Sequence, residues 1–72
     1  MTRLPALKPR EVLSALLRAG FVEHRQTGSH KILVKGEAQV ILPLHSKDMK
    51  KGTLHRIIKD AGFDVEEFLK LI

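Results

Sequence analysis

The apolar positions change their period twice along the chain. Val12, Leu13, Leu16 and Leu17 recur at three- and four-residue spacing, the repeat of an amphipathic helix that the fixed dihedral of Pro9 can open and Gly20 can close. The spacing predicts a helix over residues 9–19. From Phe21 to Gln26 apolar and polar residues alternate imperfectly, and Thr27-Gly28-Ser29 has the chemistry of a turn, so a strand running into a hairpin is expected. His30-Lys31-Ile32-Leu33-Val34 is rich in branched apolar residues and stops at Lys35-Gly36-Glu37, and Gln39-Val40-Ile41-Leu42 stops at Pro43. Loops this short between three such runs call for antiparallel pairing.

After Leu44-His45-Ser46 the period is helical again, with Leu54, Ile57, Ile58 and Ala61 on one face and a stop at Gly62. A last short helix is expected to begin after Asp64, whose carboxylate can cap the first turn while Glu67, three positions on, reaches back. Val65, Phe68, Leu69 and Ile72 are its expected buried side. Ala-Gly-Phe occurs at 19–21 and again at 61–63. A strand pattern follows one triplet and a helix pattern the other, so the two are read as helix stops and not as a repeat. The expected fold class is α+β, a three-stranded antiparallel sheet with helices packed on one face in α-β-β-β-α order, and a single domain over residues 1–72. Phe21, Phe63 and Phe68 are assigned to its core.

Charge changes the picture more than composition does. The 72 residues carry a formal net charge of +5. Residues 1–59 hold twelve of the thirteen Lys and Arg but four of the eight acids, a net of +8, and residues 60–72 carry −3. A basic body with an acidic tail points to a polyphosphate partner, because neutralised phosphates release condensed counterions. The absence of cysteine excludes thiol catalysis and a disulfide framework, and fits a reducing compartment. Met1-Thr2-Arg3-Leu4 does not read as a signal peptide, and runs such as Val40-Ile41-Leu42 are too short to cross a bilayer. A soluble cytoplasmic protein is expected.

Two segments carry candidate chemistry. The first is Gly28-Ser29-His30-Lys31: a glycine lets a phosphate approach the backbone, a hydroxyl can hydrogen-bond it, and an imidazole titrates near neutral pH, as a general acid or base must. Alternation puts His30 on the same side as Ile32 and Val34, and Leu33 leaves open whether that side is core or solvent. The second runs from Pro43 through His45, Lys47, Lys50, Lys51 and Gly52 to Thr53. Lysines around a helix start join fixed positive charge to exposed amides, against the usual preference for acids there, and a local rule broken in this way marks a candidate site. His24, His30, His45 and His55 lack cysteine partners, an i, i+4 histidine pair and neighbouring carboxylate pairs, so no metal and no cofactor is expected. With three Phe and no Tyr or Trp, a base-stacking platform is not expected either.

Taken together in order and spacing, the helix ending in Ala-Gly-Phe, Arg25-Gln26-Thr27-Gly28-Ser29-His30, Pro43-Leu44-His45-Ser46, Lys50-Lys51-Gly52-Thr53-Leu54 and Ala61-Gly62-Phe63 resemble the HicA toxins of bacterial toxin–antitoxin pairs. The resemblance implies a fold similar to a double-stranded-RNA-binding domain, an endoribonuclease that cleaves messenger RNA, and neutralisation by a HicB-type antitoxin. It maps the catalytic histidine onto His30. Lys31 departs from the pattern, since many relatives carry a second histidine or another residue there.

The mechanism expected from these residues is metal-independent cleavage by the RNA's own 2′-hydroxyl, with His30 moving a proton and Lys47, Lys50 and Lys51 holding phosphates. Gly28, Ser29, Lys31 and His45 are further expected substrate contacts. One histidine cannot take the proton and deliver it at the same moment, and the second role stays open among His45, His24, a lysine and water. The rival reading is a non-enzymatic module that recognises double-stranded RNA by shape, for which a titrating group in the hairpin would serve no purpose. A helix-turn-helix reading is disfavoured because three strands separate the helices.

Overall fold

The two longer helices, α1 (Pro9–Arg18) and α2 (Lys51–Asp60), end alike, and their ends account for the doubled Ala-Gly-Phe. Gly20 N–H donates to the Leu17 carbonyl and Phe21 N–H to that of Leu16; Gly62 and Phe63 do the same to Lys59 and Ile58, at 3.0–3.1 Å. This is the Schellman termination, with glycine in the left-handed position and an apolar residue following it. Phe21 is thereby buried, but it serves α1 as a cap, so the first strand begins one residue later than its apolar pattern suggests.

The computed structural model describes residues 4–44 and 47–72. Between the helices lie β1 (Val22–Thr27), β2 (His30–Lys35) and β3 (Ala38–Pro43), and α3 (Val65–Leu69) follows α2. The order is the expected α-β-β-β-α with a short helix appended, in an α+β architecture. The strands form one antiparallel sheet in the order β1-β2-β3. Asp64 caps α3 as expected: its carboxylate accepts from Glu67 N–H at 2.8 Å, and the Glu67 carboxylate accepts from Asp64 N–H at 3.0 Å.

One hydrophobic core sets the facing of every strand. Leu33, Val40 and Leu42 are fully buried against Val12 and Leu16 of α1, Leu54, Ile57 and Ile58 of α2, and Phe68 of α3. Successive strand residues point to opposite faces, so burying Leu33 turns His30, Ile32 and Val34 outward. Leu33 decides the ambiguity of the alternation, and His30 stands on the open face. Residue pairs directly opposite each other share a face. The outer rows are therefore Thr27–His30–Pro43, Arg25–Ile32–Ile41 and Val22–Val34–Gln39. The pairing shifts between Glu23 and Arg25. This bulge at His24 is the physical origin of the imperfect alternation in β1.

Backbone ties fix the helices to this frame. Met49 N–H donates to the Leu7 carbonyl at 2.8 Å, joining the segments that precede α1 and α2. The Lys35 ammonium caps the Ala19 carbonyl at the end of α1, and Arg18 donates to the Leu71 carbonyl at 2.7 Å. Two apolar expectations are corrected. Leu17 is 45% exposed, because the buried stripe of α1 runs through Val12, Ala15 and Leu16; Ile72 is 46% exposed, because α3 ends at Leu69 and it is Leu71 that packs on the core. Phe63 is half-buried, with its ring 6.3 Å from that of Phe68.

The two faces should respond differently to truncation. Leu33→Ala should cost about 2–5 kcal/mol, the usual penalty for a fully buried leucine, whereas the adjacent Ile32→Ala should cost about 1 kcal/mol or less, in the range of strand preferences. Urea unfolding of both variants measures the difference, and a larger loss at Ile32 would reverse the facing.

Candidate active site

Gly28 and Ser29 form the two-residue loop between β1 and β2. Gly28 has φ +57, a left-handed value that a two-residue hairpin requires at its first position and that other residues adopt only with strain. The loop is tied on both sides. Gln26 Nε2 donates to the Gly28 carbonyl at 3.2 Å, and Leu44 N–H donates to the Ser29 carbonyl at 2.6 Å. His30 follows as the first residue of β2, paired with Thr27 on one side and Pro43 on the other. Its imidazole is exposed and, among the described residues, enters no hydrogen bond or ion pair.

A groove runs along the open face where α2 flanks β3. Its sheet wall is His30, Gln39, Ile41 and Pro43; its helix wall is Thr53, Arg56, Ile57 and Asp60, and it encloses about 320 Å³. The helix residues recur at i, i+3, i+4 and i+7, one stripe of an α-helix. The adjoining stripe, Leu54, Ile57, Ile58 and Ala61, is buried in the core. One helix thus fills the core with one flank and walls the groove with the next.

Pro43 and Thr53 also line a second hollow of about 420 Å³ with Lys47, Asp48 and Lys50. The two hollows share this pair, which places the second beside the first at the start of α2. There Lys50 occupies the N-cap without a side-chain cap, and the first turn holds no acid. The helix dipole adds to the lysine charges there, and the Asp48 carboxylate in the same hollow opposes them.

The expected site residues fall into distinct places. His30 lines the groove, and Lys47 and Lys50 line the neighbouring hollow. Lys51 is exposed as the first residue of α2 and lines neither hollow. Gly28 and Ser29 shape the turn that delivers His30 and are not among the residues lining the groove. Lys31 stands apart: it shares the helix-covered face with Leu33, and its ammonium is 2.7 Å from the Glu23 carboxylate. The same pleat that turns His30 outward turns its neighbour away from it. His45 and Ser46 lie outside the described residues. Among the described residues no three His, Asp or Glu side chains are grouped to hold a metal ion.

Gln39, Arg56 and Asp60 were not singled out by the sequence reading. For the helix pair the available signal was the i+3 and i+7 spacing from Thr53. It carries meaning only once α2 is known to lie beside β3.

The family model for the HicA toxin of bacterial toxin–antitoxin systems matches residues 9–63. The chain belongs to the HicA toxin family. The matched span runs from the first residue of α1 to Phe63 and contains every residue of the groove. A search of curated proteins gives no match. As a HicA toxin the protein is the toxic member of a pair, and its class implies an antitoxin partner. Among the described residues no helix is long and apolar enough to cross a membrane.

Proposed function

We propose that this HicA toxin is an endoribonuclease that cleaves messenger RNA through His30 without a metal ion, and that a HicB-type antitoxin silences it by covering the groove. The observation that carries this reading is the exposed His30 imidazole in the wall of a groove that shares Pro43 and Thr53 with the hollow at the lysine-bearing start of α2. The reaction needs one mobile proton and a place for the phosphate. The substrate's 2′-hydroxyl attacks the adjacent phosphorus, forming the O2′–P bond as the P–O5′ bond breaks, and the proton lost from the 2′-oxygen is matched by one delivered to the 5′-oxygen. His30 performs one of these two transfers. The nucleophile belongs to the substrate, so no water has to be activated, and holding it in line with the leaving oxygen supplies much of the rate. Lys47 and Lys50 hold the neighbouring phosphates, with the amides of α2 behind them.

A reader of double-stranded RNA would use the same lysines but have no use for His30. Cleavage therefore separates the two readings. His30→Ala should keep RNA affinity within a few-fold and lose roughly 10²–10⁴ in rate. A single 2′-deoxynucleotide on the 5′ side of a mapped cut should abolish that cut, excess chelator should leave the rate unchanged, and added antitoxin should stop the reaction. The 5′ fragment should end in a cyclic or 3′-phosphate. Wild-type cutting by the alanine variant, or a free 3′-hydroxyl on that fragment, would contradict the mechanism.

Binding has its own check. Replacing Lys47 and Lys50 together by Ala should reduce the slope of log affinity against log salt by roughly 1.4–1.8, the release expected for two phosphate contacts. Lys51→Ala should change it less, since Lys51 stands outside both hollows. An unchanged slope in the double variant would mean that these lysines only face solvent.

A further inference from the structure

We infer that Arg56 is the second catalytic group of the groove, a guanidinium that contacts the reacting phosphate opposite His30 and is held in readiness by Asp60. The inference rests on the ribonuclease reading above and assigns a partner to His30 within it. Arg56 is in the helix wall of the cavity whose sheet wall includes His30. A phosphate between the walls would meet the imidazole from one side and a planar fork of N–H donors from the other. This geometry suits the equatorial oxygens on which charge builds as the 2′-oxygen attacks. Lys47 and Lys50 lie in the neighbouring hollow and suit the flanking phosphates instead.

The pairing of Arg56 with Asp60 supports this role, because it is a poor device for stabilising a helix. The two groups are 3.8 Å apart, with 84% and 47% of their side-chain surfaces exposed. Exposed pairs of this kind contribute little. The order, base four residues before acid, is also the less favourable one on a helix. Asp60 is the last residue of α2, where the helix dipole opposes a carboxylate. An acid in a groove meant for RNA is likewise unfavourable for affinity. Both costs make sense if Asp60 steers the guanidinium into the groove and yields it when a phosphate arrives.

The test compares Arg56→Ala, Arg56→Lys and Asp60→Asn in the full chain, by single-turnover cleavage at saturating protein, RNA affinity and thermal melting. Arg56→Ala should lose about 10²-fold in rate with affinity within a few-fold and melting unchanged, and Arg56→Lys should restore only part of the loss, since an ammonium lacks the fork. Asp60→Asn should bind RNA at least as tightly as the wild type but cut more slowly, by less than Arg56→Ala, because the guanidinium loses the carboxylate that orients it. A merely structural pair would instead give matched changes in melting and no change in rate. Arg56→Ala cutting at the wild-type rate would overturn the inference, as would an Asp60→Asn loss equal to that of Arg56→Ala, which would make the carboxylate the acting group. If His30→Ala is inactive while Arg56→Ala is not, only this inference falls; if both cut normally, the assignment of catalysis to His30 falls with it, and if the wild-type chain does not cut at all, the ribonuclease reading falls.

Discussion

Burial of Leu33 between Val40, Leu42 and the helices is the contact on which the arrangement of this protein depends. A strand has two faces and a period of two, so one fully buried residue in β2 assigns every other residue of that strand. Leu33 inward means His30 outward and Lys31 inward. A slip of one residue would bury an imidazole without a partner and expose the leucine. The stability of the core and the accessibility of His30 are therefore consequences of the same pleat, and the tight Gly28-Ser29 loop holds the register by fixing where β2 begins.

The second constraint is the placement of α2. A sheet of three strands offers an open face but no cleft, and a flat face binds a small reacting group poorly. The cleft arises because α2 runs along β3, with Leu54 and Ile58 in the core and Thr53, Arg56 and Asp60 beside the open face. The same helix has its lysine-rich start, without a side-chain cap, at the hollow that adjoins that cleft. Core packing, the groove wall and the lysine-bearing helix start beside it are thus built from one ten-residue helix in a chain of 72 residues.

Much of this architecture was legible in the sequence because it is encoded locally. Pro9, the two Ala-Gly-Phe stops, the Asp64–Glu67 cap and the glycine turns each specify a boundary through nearby atoms, and all lie where they were expected. Facing was harder. His30-Lys31-Ile32-Leu33-Val34 is apolar on both parities, and only the partners that bury Leu33 separate them. The bulge at His24 hid the alternation of β1 for the same reason. The groove was not legible at all, since Arg56 and Asp60 join the outward β3 residues Gln39 and Ile41 only through the non-local approach of α2 to β3. Lys31 shows the converse: adjacent in sequence to His30, it is remote in role, engaged with Glu23 on the other face.

The function proposed above requires that RNA bind the open face beside α2 and not the helix-covered face. Backbone and imidazole chemical shifts followed while a 2′-O-methyl RNA, which cannot supply the attacking hydroxyl, is added to the protein test this most directly. Perturbations should centre on His30, Ile41, Thr53 and Arg56 and extend to Lys47 and Lys50, with Glu23, Lys31 and Arg18 unmoved. Perturbations concentrated at Glu23, Lys31 and Arg18, with His30 silent at saturation, would contradict it.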